Sequence, residues 1–165
     1  FPVDQYPNVG MLYCSAEPNS AYQVEQVTNY LTQKGYTVED YSFSDSNDLA
    51  TIATNASTNC DVIYIPTDNT AASNTEIINN ICLPAGVPII AGEQGICEGC
   101  GVATLSISYY DLGYATGEMA VKILNGEADI STMPIEYAPN FTKMYNPTNC
   151  EELGIAVPED YVAIE

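Results

Sequence analysis

Short apolar runs alternate along the chain with longer stretches of helical spacing. Val9-Gly10-Met11-Leu12-Tyr13-Cys14, Val62-Ile63-Tyr64-Ile65, Val87 to Ala91 and Val102 to Ile107 have strand length. The continuous runs among them fit strands buried on both faces, the habit of a parallel sheet. Thr37–Phe43, with Val38, Tyr41 and Phe43, predicts one more strand by partial alternation. Between these runs, Ala21–Lys34 sets Val24, Val27 and Leu31 on one helical face and stops at Gly35. Ser44 to Asp48 offers caps for a short helix through Leu49, Ile52 and Ala53. Ser73–Cys82, with Ile77, Ile78 and Ile81, and Tyr109–Leu124, closing at Asn125-Gly126, predict two further helices. Gly95–Gly101 reads as a Gly-rich loop. Met133–Tyr137 and Lys143–Asn146 predict two late strands and Thr148–Leu153 a last short helix, with the remainder to Glu165 irregular.

Strands alternating with helices predict right-handed βαβ units, and so an α/β fold with a doubly wound parallel sheet. The flavodoxin-like strand order 2-1-3-4-5 puts the topological switch between the first and third strands. That order brings the polar loops Ser15–Ser20 and Thr67–Thr70 together at the carboxyl ends of those strands. Each loop precedes a helix, and Asn19 or Ser20 is the expected N-cap. Two helix N-termini aimed at one crevice would favour a carboxylate, and Asp68 would suit an ammonium. Together they describe an amino-acid-like zwitterion. Asn19, Ser20 and Asn69 serve equally well as ordinary caps and turn residues.

Charge narrows the function classes. The 165 residues carry 22 acids against three lysines, net −19. Such a surface repels phosphate backbones, so no nucleic-acid partner is expected. There is no histidine, which removes Ser–His and Cys–His nucleophile pairs and the usual zinc ligand. No Gly-x-Ser-x-Gly elbow occurs, and we expect neither an enzyme nor a cofactor. No apolar stretch reaches the ~18 residues a membrane span needs.

Of the six cysteines, only Cys97-Glu98-Gly99-Cys100 has motif-like spacing. A local disulfide or structural thiol pair, a metal and a redox site all fit that spacing. The first is favoured, because a lone CxxC in a Gly-rich loop lacks both a second metal half-site and a strand-to-helix setting. An even cysteine count on an acidic chain leans extracellular.

The segments VGMLYCSAEPNS, DVIYIPTDNTAAS, PIIAGEQG, YYDLGYATGEMAVKILNGEADISTMPIEY and ELGIAVPED closely resemble the second half of an ABC-transporter substrate-binding protein. The branch is the lipoprotein family whose members bind aromatic or other amino acids, and the likeness runs from Val9 to Asp160. It implies one lobe of a type I periplasmic-binding fold: an arm at 1–8, an α/β ligand-binding lobe at 9–107, and a crossover helix with a C-terminal return at 108–165. It further implies capture of an amino acid without chemistry, hinge closure and docking on an ABC permease. On the matching positions, Asn19, Ser20, Thr67, Asp68, Asn69 and Glu93 would line the cleft. The protein would be exported to the cell surface, its signal lying outside this sequence. Most of the family's first lobe is absent here. Leu112, Met119, Ile123 and Leu124 of the Tyr109–Leu124 helix would then lack a partner, so we expect contact with the missing lobe or self-association. A secreted, self-assembling module is the alternative reading.

Overall fold

The computed structural model describes residues 1–138 and 140–165. Its centre is one seven-stranded sheet in the order β2-β1-β3-β4-β5-β6-β7. The strands are β1 (Asn8–Cys14), β2 (Thr37–Phe43), β3 (Val62–Ile65), β4 (Ile89–Ala91), β5 (Ala103–Ile107), β6 (Phe141–Tyr145) and β7 (Val162–Ala163). Pairing is parallel except between β5 and β6, where Ala103 faces Tyr145 and Ile107 faces Phe141. The predicted order 2-1-3-4-5 therefore stands, and the return segment extends the same sheet.

Helices α1 (Pro18–Gln33), α2 (Ser46–Asn59), α3 (Asn69–Ala72), α4 (Thr75–Cys82), α5 (Gln94–Cys100), α6 (Tyr109–Leu124) and α7 (Pro147–Glu152) complete the elements. The step from β1 to β2 runs opposite to those from β2 on to β5, so right-handed crossovers put α1 on one face and α2, α3, α4 and α5 on the other. Alternate residues of β1 divide accordingly. Val9 and Met11 join Val24 and Val62 under α1. Leu12 and Cys14 join Phe43, Leu49, Ile63, Ile65, Ile78 and Ile96 under the other helices. Each fully buried Leu, Ile or Phe contributes roughly 1.5–3 kcal/mol.

Five expectations differ from the structure. The first helix starts at Pro18, not Ala21, so Glu17 holds the N-cap position that Asn19 or Ser20 was expected to take. Proline fits the first helical turn because no intrahelical bond needs its missing N–H. The third helix is broken into α3 and α4, and begins directly at Asn69. Gly95–Gly101 is mostly helix, not loop: Glu93 caps α5, and Ile96, Cys97 and Cys100 are buried on its inner side. Its glycine is a packing requirement, since a Cβ on Gly99 would stand 2.2 Å from Thr75 Oγ1. Met133–Tyr137 forms no strand, and Ile135 and Tyr137 are largely exposed. The free edge of β5 is taken by Phe141–Tyr145 instead. The C-terminal stretch read as irregular supplies β7.

All six cysteines are free and buried, so Cys97 and Cys100 are separate thiols in α5. Burial pushes the Cys97 thiol up to about 12, which keeps it protonated and unreactive near neutral pH. No cluster of three or more metal-ligating side chains occurs among the described residues. Nor is any described helix long and apolar enough to cross a membrane.

Candidate functional site

The crevice lies where β1 and β3 end side by side, at the switch in strand order. Three loops meet there, following β1, β3 and β4. Their approach depends on Gly92. A Cβ at that position would stand 2.5 Å from Thr67 N and 2.6 Å from Pro66 C, both backbone atoms that cannot step aside. The Gly92 N–H donates to Ile65 O at 2.7 Å, which fastens the β4 loop to the end of β3.

The residues singled out from sequence gather in these loops, but most are engaged internally. Asn19 Nδ2 and Ser20 Oγ both donate to Thr67 O, at 2.9 and 3.1 Å. Thr67 N donates to Gln23 Oε1 at 3.1 Å. Asp68 is only 1% exposed. One of its oxygens accepts from Cys14 N and the other from Ala71 N, each at 2.8 Å, so it ties β1 to the first turn of α3. A carboxylate so enclosed is a structural clasp, and it does not present a free anion to the crevice. Glu93 accepts from Gly95 N and Ile96 N as the cap of α5. Asn69 is exposed, and its backbone and side-chain N–H groups both donate to Glu17 at 2.9 Å.

Glu17 is the residue that sequence reasoning missed. Its Oε2 accepts the two Asn69 bonds, and its Oε1 accepts from Thr70 N and Thr70 Oγ1, both at 2.8 Å. Partial burial works against ionisation. The four hydrogen bonds from Asn69 and Thr70 outweigh it and hold the carboxyl at about 2. The available signal was Pro18, which marks the helix start and puts Glu17 at the cap. Tyr109, at the start of α6, was also overlooked as a neighbour of Glu93. Burial and then the Glu93 carboxylate raise its phenol, although the residue is 55% exposed.

These contacts reverse the expected charge logic. The donors at the start of α3 and α5 are occupied by the protein's own carboxylates and, at Gln94 N, by Ser106 Oγ, and α1 opens on a proline with no N–H to offer. The lysines stand elsewhere: Lys34 at the far end of α1, Lys122 on α6 and Lys143 on β6. The wall is therefore negative. An apolar hollow of about 470 Å³ between the N-terminal arm and the C-terminal segment shares no residue with the crevice. Its lining, which includes Phe1, Tyr6, Ile90, Tyr145 and Tyr161, has no charged side chain to orient a zwitterion.

The predicted association residues lie on α6, a helix without one buried residue. Leu112, Met119 and Ile123 are half-buried, and Leu124 is 84% exposed. Met119 and Ile123 share a concavity with Ile130, Met133 and Ile135, where the following segment folds back over the helix.

The family model described as ABC transporter substrate binding protein matches residues 3–164. The chain belongs to that family. A tyrosine-binding protein of Clostridioides difficile is 31% identical over 152 residues, which is 92% of this chain and 40% of the relative. A substrate-binding protein with adhesive properties from Clostridium difficile, solved ligand-free and open, is 32% identical with a TM-score of 0.77, covering 99% of this chain and 56% of that one. An ABC domain from Streptococcus pneumonia, solved with L-Trp, is 33% identical with a TM-score of 0.85, covering 94% and 52%. The chain thus spans about half the length of these solved relatives and 40% of the tyrosine-binding protein. Members of this family are carriers that perform no chemistry, and they bind small molecules in partnership with an ABC permease.

Proposed function

We propose that this chain forms one wall of an amino-acid-binding cleft in the extracellular receptor of an ABC importer, with an aromatic amino acid as the favoured ligand. The observation that carries the reading is the crevice at the β1/β3 switch. Asn19, Ser20, Thr67, Asp68, Asn69 and Glu93 all lie in its three loops or in the first turns of the helices that follow them, some at the surface and others as the framework beneath. The relatives that bind tyrosine and tryptophan support the ligand class. A single wall buries too little of a small ligand for useful affinity. A facing lobe therefore completes the cleft, α6 leads toward it, and the isolated chain binds weakly. Calorimetry on a two-lobed protein containing this chain, titrated with each amino acid, tests the reading. Saturable binding of tyrosine or tryptophan supports it. Silence toward every amino acid overturns it.

A second reading is self-assembly, favoured by the bare face of α6, where Tyr110 is 80% and Leu124 84% exposed. Light scattering decides it: concentration-dependent growth in mass that Leu124→Glu abolishes supports assembly, and a constant monomer mass rejects it.

A further inference from the structure

The four donors from Asn69 and Thr70 converge on the Glu17 carboxylate with both oxygens doubly engaged, at 2.8–2.9 Å. That is the pattern by which proteins hold a bound carboxylate, yet here the anion comes from the chain itself, 52 and 53 residues away in sequence. Glu17 belongs to the β1 loop and its partners to the β3 loop, so the contact also locks the two loops together. Asn19, Ser20 and Gln23, all on α1, reinforce the lock through the Thr67 backbone.

We propose that Glu17 is a built-in anion and a specificity-setting residue: it fills the donors of Asn69 and Thr70, pins the β3 loop to α1, and so denies this wall to a ligand's carboxylate. The inference rests on the amino-acid reading above and adds to it the orientation of the ligand. This wall is negatively charged, with Glu17, Asp68 and Glu93 at the crevice and the lysines elsewhere. Among the described residues, the side-chain carbonyl oxygens of Asn19 and Asn69 carry no hydrogen bond, and the caps Glu17 and Glu93 remain only half-buried. Such a surface receives the ammonium end of a zwitterion, and the carboxylate end turns to the opposing lobe.

The test uses this chain labelled with ¹⁵N, with Glu17→Ala as the main variant, sodium acetate as the anion probe and L-tyrosine as the ligand. In the wild type, acetate leaves the Asn69 and Thr70 amide resonances in place. In Glu17→Ala, acetate moves those two amides saturably. Saturation-transfer signals from tyrosine weaken in the variant, by about tenfold in apparent affinity, and acetate restores them. A structural role alone would not produce that rescue. Asn69 and Thr70 amides that ignore acetate in Glu17→Ala, or that respond equally in the wild type, overturn the proposal. Should Glu17→Ala not fold, Glu17→Gln keeps the volume but replaces one acceptor oxygen with a donor. It is expected to weaken tyrosine binding without responding to acetate, and wild-type affinity in it would also overturn the proposal. A proper acetate response in a chain that binds no amino acid would defeat the amino-acid reading and the ligand orientation with it, and would leave only the loop lock standing.

Discussion

Two carboxylates at the crevice illustrate how a residue's role follows from its partners. Asp68 and Glu17 are both acidic loop residues beside a helix start. Asp68 is enclosed and shared between Cys14 N and Ala71 N. Glu17 lies at the surface and bridges two loops. The Glu17 contribution has a definite pH signature. Its carboxyl is held at about 2, against an ordinary value of 4.5. A depressed pKa stabilises the folded state fully above the ordinary value, and that contribution is lost as pH falls from about 4.5 toward about 2. Because the group is only partly buried, screening reduces the effect to on the order of 1 kcal/mol. Urea unfolding of wild type and Glu17→Gln should differ by about that amount at neutral pH. The gap should close as pH falls through this window. A gap that stays constant across the window contradicts the assignment.

At the scale of elements, the sheet was legible from apolar runs because parallel strands buried on both faces leave few polar positions. β3, with its four apolar residues, matches the run that predicted it. Helix starts were less legible. Capping propensity pointed to Asn19 and Ser20, while Pro18, just before them, set the actual boundary. α5 was hidden because three-dimensional packing overrides the low helix propensity of Gly95 and Gly99. Thr75 occupies the space a side chain at Gly99 would need. The candidate residues could be found as a group, since topology alone brings their loops together. Their hydrogen-bond partners could not, because the Glu17 and Asp68 contacts span more than fifty positions. Two glycines separate packing need from conformational propensity. Gly92→Ala would force a Cβ against the Thr67 backbone, and a cost of about 1–3 kcal/mol in thermal or urea unfolding is expected. Gly113→Ala, on α6 with nothing within 4 Å of the added carbon, should instead stabilise the helix by roughly 0.5–1 kcal/mol. Equal effects at the two positions would refute the view that Gly92 sets the approach of the crevice loops.

The whole molecule is a seven-stranded sheet with unequal cover. Four helices pack on one face, while α1 shares the other with the N-terminal arm and the C-terminal segment. Net charge of −19 keeps such molecules apart in dilute salt, which sets like-charge repulsion against any association through α6. The central claim is that the functional surface is the β1/β3/β4 crevice and not the apolar hollow under Phe1. Amide chemical-shift mapping of the ¹⁵N-labelled chain with excess L-tyrosine tests it most directly, since that method registers weak binding. The account predicts saturable shifts at Ser15–Ser20, Thr67–Thr70 and Glu93–Gln94. Shifts confined to Phe1–Tyr6, Tyr145 and Leu153–Tyr161, or none at all, would contradict it.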